Sequence, residues 1–352
     1  MKPTRIAFLL YDFWQGGICT SYINLCRELH RVHPDEYDFF FLASDYGKFH
    51  PEIEKLGHCE YVGPKVIRMT EKLMEIRPHI AQVACKNEYI KSCQEIKKRG
   101  IFLKIIERVD GRRSALRIDK KFVDAYVCHS FGVQTEIWDH YDRTDWVMNK
   151  SVMIRNGVPI PHISECVMER SDPIIGRMAR LGKGKGLDQM IFSAVRNPVR
   201  RKYVIIGSNS KLRGSEQEKE RLENMILMSG ANNIEIINEI HDPEQKRKWL
   251  LRFSVAVCTS LPENEGMSNF LIEAMSYGIP IVSTNVGDHK EFFLDPINKP
   301  GLMYQGDGFD EALDTVIDGW GDYHYAAYRL AQKMFDVQHT AAQYNELYQR
   351  IL

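Results

Sequence analysis

The sequence predicts an α/β fold made of two Rossmann-like domains that face a cleft. Short apolar segments rich in β-branched residues alternate with segments of helical periodicity, and this alternation occurs twice along the chain. An irregular stretch containing Asn, Gly and Pro, from Asn156 to Pro161, separates the two alternations. With 352 residues the chain is long enough for two domains. We therefore predict a first domain over 1–157 and a second over 158–330.

The first domain opens with a strand from Arg5 to Leu10, followed by Gly16 and Gly17 and by a helix from Thr20 to Arg31. A strand, a glycine turn and a helix in this order are typical of the start of a doubly wound sheet. Further strands are predicted at 37–42, 80–84, 101–106, 125–128 and 151–154, with helices at 66–75, 89–99 and 131–141.

The second domain repeats the alternation. Its strands are predicted at 173–176, 202–206, 234–237, 253–260 and 281–283, with helices at 186–195, 216–229, 243–253 and 268–277. The chain then ends in helices predicted over 309–318 and 323–352.

The stretch from Leu261 to Thr284 follows a buried strand of the second domain and carries two carboxylates. Glu265 lies in the predicted loop and Glu273 in the helix, with Asn269 four residues earlier on the same helix face. We expect Ser268 to cap this helix, and the amides of Met267, Ser268 and Asn269 to be open to an anion. Ligands bind at such a place, where a loop leaves the carboxyl end of a parallel strand.

The charge balance excludes a general attraction to nucleic acid or membranes. Lys and Arg number 47, as do Asp and Glu, so the formal net charge is zero. Residues 91–121 nevertheless hold 11 basic and 4 acidic residues. This stretch is either a solvated face or a contact for an anionic acceptor such as a lipid, a wall polymer or a nucleic acid.

The eight cysteines include no C-x-x-C pair, which favours free, buried thiols in a reducing cytosol. Neither a signal peptide nor an apolar run of membrane-spanning length is visible. We therefore expect a cytoplasmic protein, with peripheral membrane contact through the basic stretch as one option.

Several motifs in the same order resemble those of the GT-B glycosyltransferases, in particular the family-4-like retaining group (glycosyl transferases group 1). The resemblance covers nearly the whole chain and is strongest from Ile154 to Phe293. The motifs are Asn156-Gly157-Val158, Ile175-Gly-Arg177 with Lys185-Gly-Leu-Asp-Gln-Met-Ile191, Ile205-Ile-Gly207, Glu265 through Glu273, Gly287 with Glu291, and Phe335 to Tyr348.

This resemblance implies transfer of a hexose-type sugar from a nucleotide-diphosphate sugar, with a UDP-sugar favoured, to an acceptor held by the first domain. It also implies retention of anomeric configuration, with no metal and no further cofactor. Glu273 would accept the ribose hydroxyls and Glu265 would contact the sugar. Arg177 and Lys185 would stabilise the charge that the diphosphate gathers as the glycosidic bond breaks.

The resemblance further implies a terminal helix over 331–352 that packs back on the first domain. Gly16 and Gly17 would allow the first domain to approach the diphosphate closely. The remaining donor-binding positions that it implies are Gly207, Gly266, Met267, Ser268 and Asn269.

The chain departs from the family pattern where relatives carry histidines in the first domain. The stretch Ile106 to Asp110 lacks one, and Gln82 lies near the place of another, so Asp110 and His129 are our candidates for acid/base catalysis. Asn238 replaces a glycine expected after Ile237. Two alternatives stay open: a nucleotide-sugar epimerase of the same fold, and a non-catalytic nucleotide-sugar-binding subunit. The donor base, the acceptor and the oligomeric state are left open as well.

Overall fold

A computed structural model describes residues 2–11, 17–44, 51–84, 87–109, 122–169, 171–208, 215–240, 242–261 and 266–352. The chain divides into two compact units. The first comprises Met1–Gly157 together with Val337–Leu352, and the second comprises Val158–Asp336.

Parallel strands form the sheet of the first unit. They are β1 (Thr4–Leu10), β2 (Tyr37–Ala43), β3 (His58–Tyr61), β4 (Ile80–Ala84), β5 (Lys104–Val109), β6 (Ala125–Cys128) and β7 (Ser151–Met153). The described helices of this unit are α1 (Gly17–Val32), α2 (Pro51–Glu54), α3 (Val66–Ile76), α4 (Asn87–Lys98), α5 (Phe131–His140), α6 (Asp145–Lys150) and, from the end of the chain, α13 (Val337–Ile351). The strand order is β3-β2-β1-β4-β5-β6-β7, so the winding direction changes between β1 and β4.

Helices cover both faces of this sheet, and the central strands are correspondingly apolar. Helices α1 and α13 cover one face, and α3, α4 and α5 cover the other. One buried polar side chain interrupts the first layer. Gln82 of β4 accepts a hydrogen bond from Tyr348 (2.8 Å) and donates to the hydroxyls of Tyr22 and Tyr344 (3.3 Å each). Gln82 therefore joins β4 to α1 and α13.

The second unit has a sheet of the same kind. Its strands are β8 (Ile174–Arg180), β9 (Lys202–Ser208), β10 (Ile234–Asn238), β11 (Val255–Cys258), β12 (Ile281–Thr284) and β13 (Gly301–Tyr304), in the order β10-β9-β8-β11-β12-β13 and all parallel. Its described helices are α7 (Asp188–Arg196), α8 (Ser215–Ser229), α9 (Pro243–Leu250), α10 (Asn269–Ser276), α11 (Phe309–Asp318) and α12 (Trp320–Phe335). Helices α9, α10 and α12 cover one face and α7, α8 and α11 the other. The two parallel sheets confirm the predicted α/β class with two Rossmann-like units.

The observed elements differ from the expected ones in several places. Strand β5 starts at Lys104 rather than at 101, because its pairing with β4 begins at Ile80↔Lys104. The edge strands β3 and β13 were not predicted. The single helix expected over 323–352 is two helices, because the chain turns to an extended conformation at Asp336 (ψ 125°).

The chain passes from the first unit to the second after Gly157 and returns after Asp336. Within the second unit, Val158 forms a parallel bridge with Asp336, and its amide donates to the Phe335 carbonyl (2.8 Å). Residues 331–336, expected in the helix that packs on the first domain, therefore belong to the second unit. The helix of the first unit begins only at Val337.

The backbone of Gly157 packs closely against the start of α13 within the first unit. The Asn24 amide donates to its carbonyl (3.0 Å), and Thr340 Oγ1 donates to the carbonyl of Arg155 (3.1 Å). A Cβ atom on Gly157 would lie 2.5 Å from Thr340 Oγ1 and 2.6 Å from Val337 Cα. Only glycine allows this approach, which gives the Asn-Gly-Val motif a packing role. No helix in the described ranges is both long and apolar enough to span a membrane.

The Gly157→Ala variant should lower the free energy of unfolding by about 1–3 kcal/mol, because the added methyl group collides with the backbone at Val337. Urea denaturation measures this loss. The control is Gly321→Ala, where an added Cβ meets nothing within 4 Å and no destabilisation is expected. Equal stability of the two variants would contradict the packing role of Gly157.

Candidate functional site

Arg177 lies where β8 and β11 separate. The two strands pair at Ile175↔Val255 and Gly176↔Ala256, and their pairing then ends. Beyond that point Arg177 Nη1 donates to the Val257 carbonyl (3.1 Å) and Nη2 to Ser260 Oγ (3.2 Å). The residue is 1% exposed. The guanidinium therefore continues the connection between β8 and β11 after the backbone ladder stops.

The turn that carries Lys185 packs against the segment that follows β11. The amide of Leu261 donates to the Gly184 carbonyl (2.9 Å), and Thr259 Oγ1 donates to the Lys185 carbonyl (2.9 Å). Gly186 has a positive φ of 59°, and a Cβ there would lie 2.0 Å from the Thr259 oxygen. Residues 259–261 thus position both Arg177, through Ser260, and Lys185, which is half-buried.

A buried histidine that no sequence motif marked accepts a hydrogen bond from the backbone at the start of α10. His289 is fully buried, and its Nε2 accepts a hydrogen bond from the Ser268 amide (3.2 Å). This leaves the ring proton on Nδ1, which donates to Ser283 Oγ (2.6 Å). Ser283 Oγ in turn donates to the Thr284 carbonyl (2.9 Å). Strand β12 is therefore tied to the first turn of α10 by a side-chain relay.

This relay corrects two expectations about Ser268. Its side chain makes no capping hydrogen bond, and its amide is already used by His289 rather than open to an anion. The loop after β12 holds His289 in this place, because the Asp288 amide donates to the carbonyl of Gly266 (3.2 Å). The donor-binding role of Ser268 stays a prediction.

Glu273 lies within α10 and forms an ion pair with a lysine of the neighbouring helix. Lys246 Nζ of α9 is 2.5 Å from Glu273 Oε2, and the side chains are 32% and 12% exposed. Asn269 shares the face of α10 on which Glu273 lies, as the spacing predicts. The carboxylate is thus mostly buried and charge-compensated, while it keeps some access to solvent.

The other predicted donor-binding positions lie around this edge of the second sheet. Met267 is buried (6% exposed), and Gly266 and Asn269 are half-buried. Gly207 ends the β9 segment that pairs with β10, and a Cβ there would lie 2.3 Å from Leu181 Cδ2. Packing against Leu181 therefore accounts for this glycine.

In the first unit the structure places two of the predicted residues. His129 follows β6, is 3% exposed, and donates from Nδ1 to the Val109 carbonyl (2.8 Å). Gly17 is the exposed first residue of α1. Glu265, Asp110 and Gly16 lie outside the described residues.

The carboxyl end of β5 also carries a buried arginine that sequence reasoning did not single out. Arg108 is 3% exposed, donates to Asn156 Oδ1 (2.9 Å), and lies 4.8 Å from the centre of the Tyr22 ring. It joins β5 to the Asn156-Gly157 junction and to α1.

The described cysteines are free, and most of them are buried. Burial raises the pKa of the Cys93 thiol to about 12 and that of Cys166 to about 11, so both stay protonated at neutral pH. In the part of the chain that the structure describes, no group of three or more His, Cys, Asp or Glu side chains could hold a metal ion.

Comparison with known proteins gives a family similarity for part of the second unit and a fold for the whole chain. Residues 172–318 match the family model described as glycosyl transferases group 1. No curated protein sequence matches the chain. Among solved structures, HepE from Anabaena in complex with UDP and glucose is 15% identical with a TM-score of 0.78, covering 98% of this chain and 99% of that one. The protein has the fold of the GT-B glycosyltransferases.

Two further structures have the same fold over the whole chain. A glycosyltransferase from Rickettsia africae is 14% identical with a TM-score of 0.78 and covers 100% of this chain and 99% of that one. Sucrose-phosphate synthase from Thermosynechococcus elongatus is 14% identical with a TM-score of 0.77 and covers 99% of both chains. The resemblance that the motifs predicted is confirmed.

Two groups of side chains at this site could not be predicted from residue spacing. His289 and Ser283 lie on a strand end and the loop after it, where no motif marks a hydrogen-bond relay. Lys246 is one of several charged residues on α9, and nothing in their spacing distinguishes it. A scan for histidines just after predicted strands is the one signal that could have found His289.

Replacing His289 with phenylalanine should lower the free energy of unfolding by about 1–3 kcal/mol, because the buried Ser268 amide loses its acceptor. Thermal or urea denaturation measures the effect. His339→Phe on the exposed side of α13 is the control, and its stability should stay close to that of the unchanged protein. A His289 variant as stable as this control would argue against the relay.

Proposed function

We propose that the protein transfers a hexose-type sugar from a UDP-sugar to an acceptor with retention of anomeric configuration. The observation that carries the proposal is the grouping at one edge of the second sheet. There the Arg177 guanidinium and the turn that carries Lys185 are bound to residues 259–261 after β11, and Glu273 lies on α10, the next helix along the chain. The structures of HepE in complex with UDP-glucose and with UDP and glucose support this choice of donor.

The proposed roles follow from the charges that the side chains carry. Arg177 and Lys185 stabilise the diphosphate as negative charge develops on it, because both approach the loop at the carboxyl end of β11. Glu273 accepts the ribose hydroxyls through a carboxylate that α10 holds in place. Glu265, Gly266, Met267, Ser268 and Asn269 contact the sugar and phosphate, with Gly207 at the neighbouring strand and Gly16 and Gly17 on the side of the first unit.

For acid/base catalysis we propose Asp110 or His129. The hydrogen bond from His129 Nδ1 to the Val109 carbonyl places the proton of the neutral ring on Nδ1, and this is the tautomer in which Nε2 can act as a general base. The acceptor would bind to the first unit, where the basic stretch 91–121 favours an anionic molecule or contact with an anionic membrane surface. Free thiols favour a reducing, cytoplasmic location.

Replacing Glu273 with alanine should weaken UDP binding by roughly 100-fold or more, because two hydrogen bonds to a charged acceptor are lost. Isothermal titration calorimetry measures the affinity. The matched control is Glu220→Ala on α8, an exposed carboxylate of the same unit. Unchanged UDP affinity in the Glu273 variant would refute the assignment of the ribose site.

Sugar transfer should persist in the presence of EDTA, because Arg177 and Lys185 supply the positive charge that the leaving diphosphate needs. Mass spectrometry and NMR of the product measure transfer and the anomeric configuration. An EDTA-sensitive activity that Mg²⁺ restores would contradict the metal-free mechanism. Conversion of the donor without any acceptor would instead favour an epimerase.

A further inference from the structure

Lys246 is the residue that the proposed function leaves unassigned at the nucleotide side of the site. It lies in α9, and its Nζ is 2.5 Å from Glu273 Oε2 across the interface between α9 and α10. The neighbouring cation Arg247 is already paired with Glu244, at 2.9 Å on the surface of α9. Lys246, and not Arg247, therefore forms the salt bridge with Glu273.

The ion pair changes what Glu273 offers to a ligand. A carboxylate that is only 12% exposed would, by itself, repel the anionic nucleotide that the site is proposed to bind. An ammonium group on Oε2 cancels that charge locally. It also restricts rotation of the carboxylate, so that Oε1 and the remaining lone pair of Oε2 keep one orientation for incoming hydroxyls.

We propose that Lys246 is a positioning residue for the nucleoside: it fixes the Glu273 carboxylate so that the site selects a ribose with both hydroxyls. The inference rests on the proposed function and assigns a specificity role that acts through Glu273. Its physical basis is preorganisation, since a group held in its binding geometry before the ligand arrives loses less conformational freedom on binding.

The test compares the dissociation constants of UDP and 2′-deoxy-UDP by calorimetry. The variants are Lys246→Met, which keeps the aliphatic stem, Lys246→Arg, which keeps the charge, and Lys248→Met, which removes an exposed lysine from the same helix. Glu273→Gln and the double variant Lys246→Met/Glu273→Gln complete a double-mutant cycle.

We expect Lys246→Met to weaken UDP binding about tenfold, the loss that corresponds to one charge-assisted hydrogen bond. Its preference for UDP over 2′-deoxy-UDP should fall towards that of Glu273→Gln. Lys246→Arg should restore most of the affinity and the preference, and Lys248→Met should behave as the unchanged protein. In the Glu273→Gln background, Lys246→Met should cause little further loss.

Three results would overturn the inference. The first is an unchanged UDP affinity in Lys246→Met, and the second is an equal loss for UDP and 2′-deoxy-UDP, as a merely structural defect would give. The third is the full tenfold loss in the Glu273→Gln background. If the unchanged protein binds neither nucleotide, the donor site itself is refuted and the role of Lys246 with it. Binding by the unchanged protein combined with any of the three results refutes only the role of Lys246.

Discussion

The geometry of the second unit depends on the buried guanidinium of Arg177. A charged group away from water needs hydrogen bonds within the protein, and here the Val257 carbonyl accepts one from Nη1 and the Ser260 hydroxyl one from Nη2. The ring of Phe270 lies 5.8 Å from the guanidinium carbon. Arg177 therefore links β8, the segment that follows β11 and the first turn of α10 within one buried cluster.

The charges of this edge are divided between two places. Near β8 and β11, Arg177 donates to the Val257 carbonyl and the Ser260 hydroxyl, and Lys185 lies on a turn bound to the same segment. On α10, by contrast, the Glu273 carboxylate is matched by a cation. A molecule with a doubly charged part and an uncharged polyhydroxyl part fits this division. The two ends of such a ligand would meet different electrostatic environments, one beside β8 and β11 and the other on α10.

Much of the fold could be predicted because strands buried on both faces are continuous apolar runs, as in β1 and β4. Strand β3 was not predicted because its alternate residues His58 and Glu60 are exposed at an edge of the sheet. At the site, the spacing of Asn269 and Glu273 predicted a shared helix face. The partner Lys246 lies on another helix, so its proximity is set by tertiary packing, which spacing does not encode. The hydrogen bond from the Ser268 amide to His289 likewise depends on tertiary packing, so residue spacing could not predict it.

The return of the chain to the first unit at Val337 bears on the order in which the protein folds during synthesis. Helix α13 contributes Tyr344, Leu347 and Tyr348 to the core layer that also contains Tyr22 of α1. Residues 1–157 leave the ribosome first, yet α1 covers only part of this layer until α13 has been translated. The second unit is continuous and can complete its core earlier. The unit that is translated first therefore completes its core after the second unit, and the apolar surface that α13 will cover needs protection from aggregation throughout the interval.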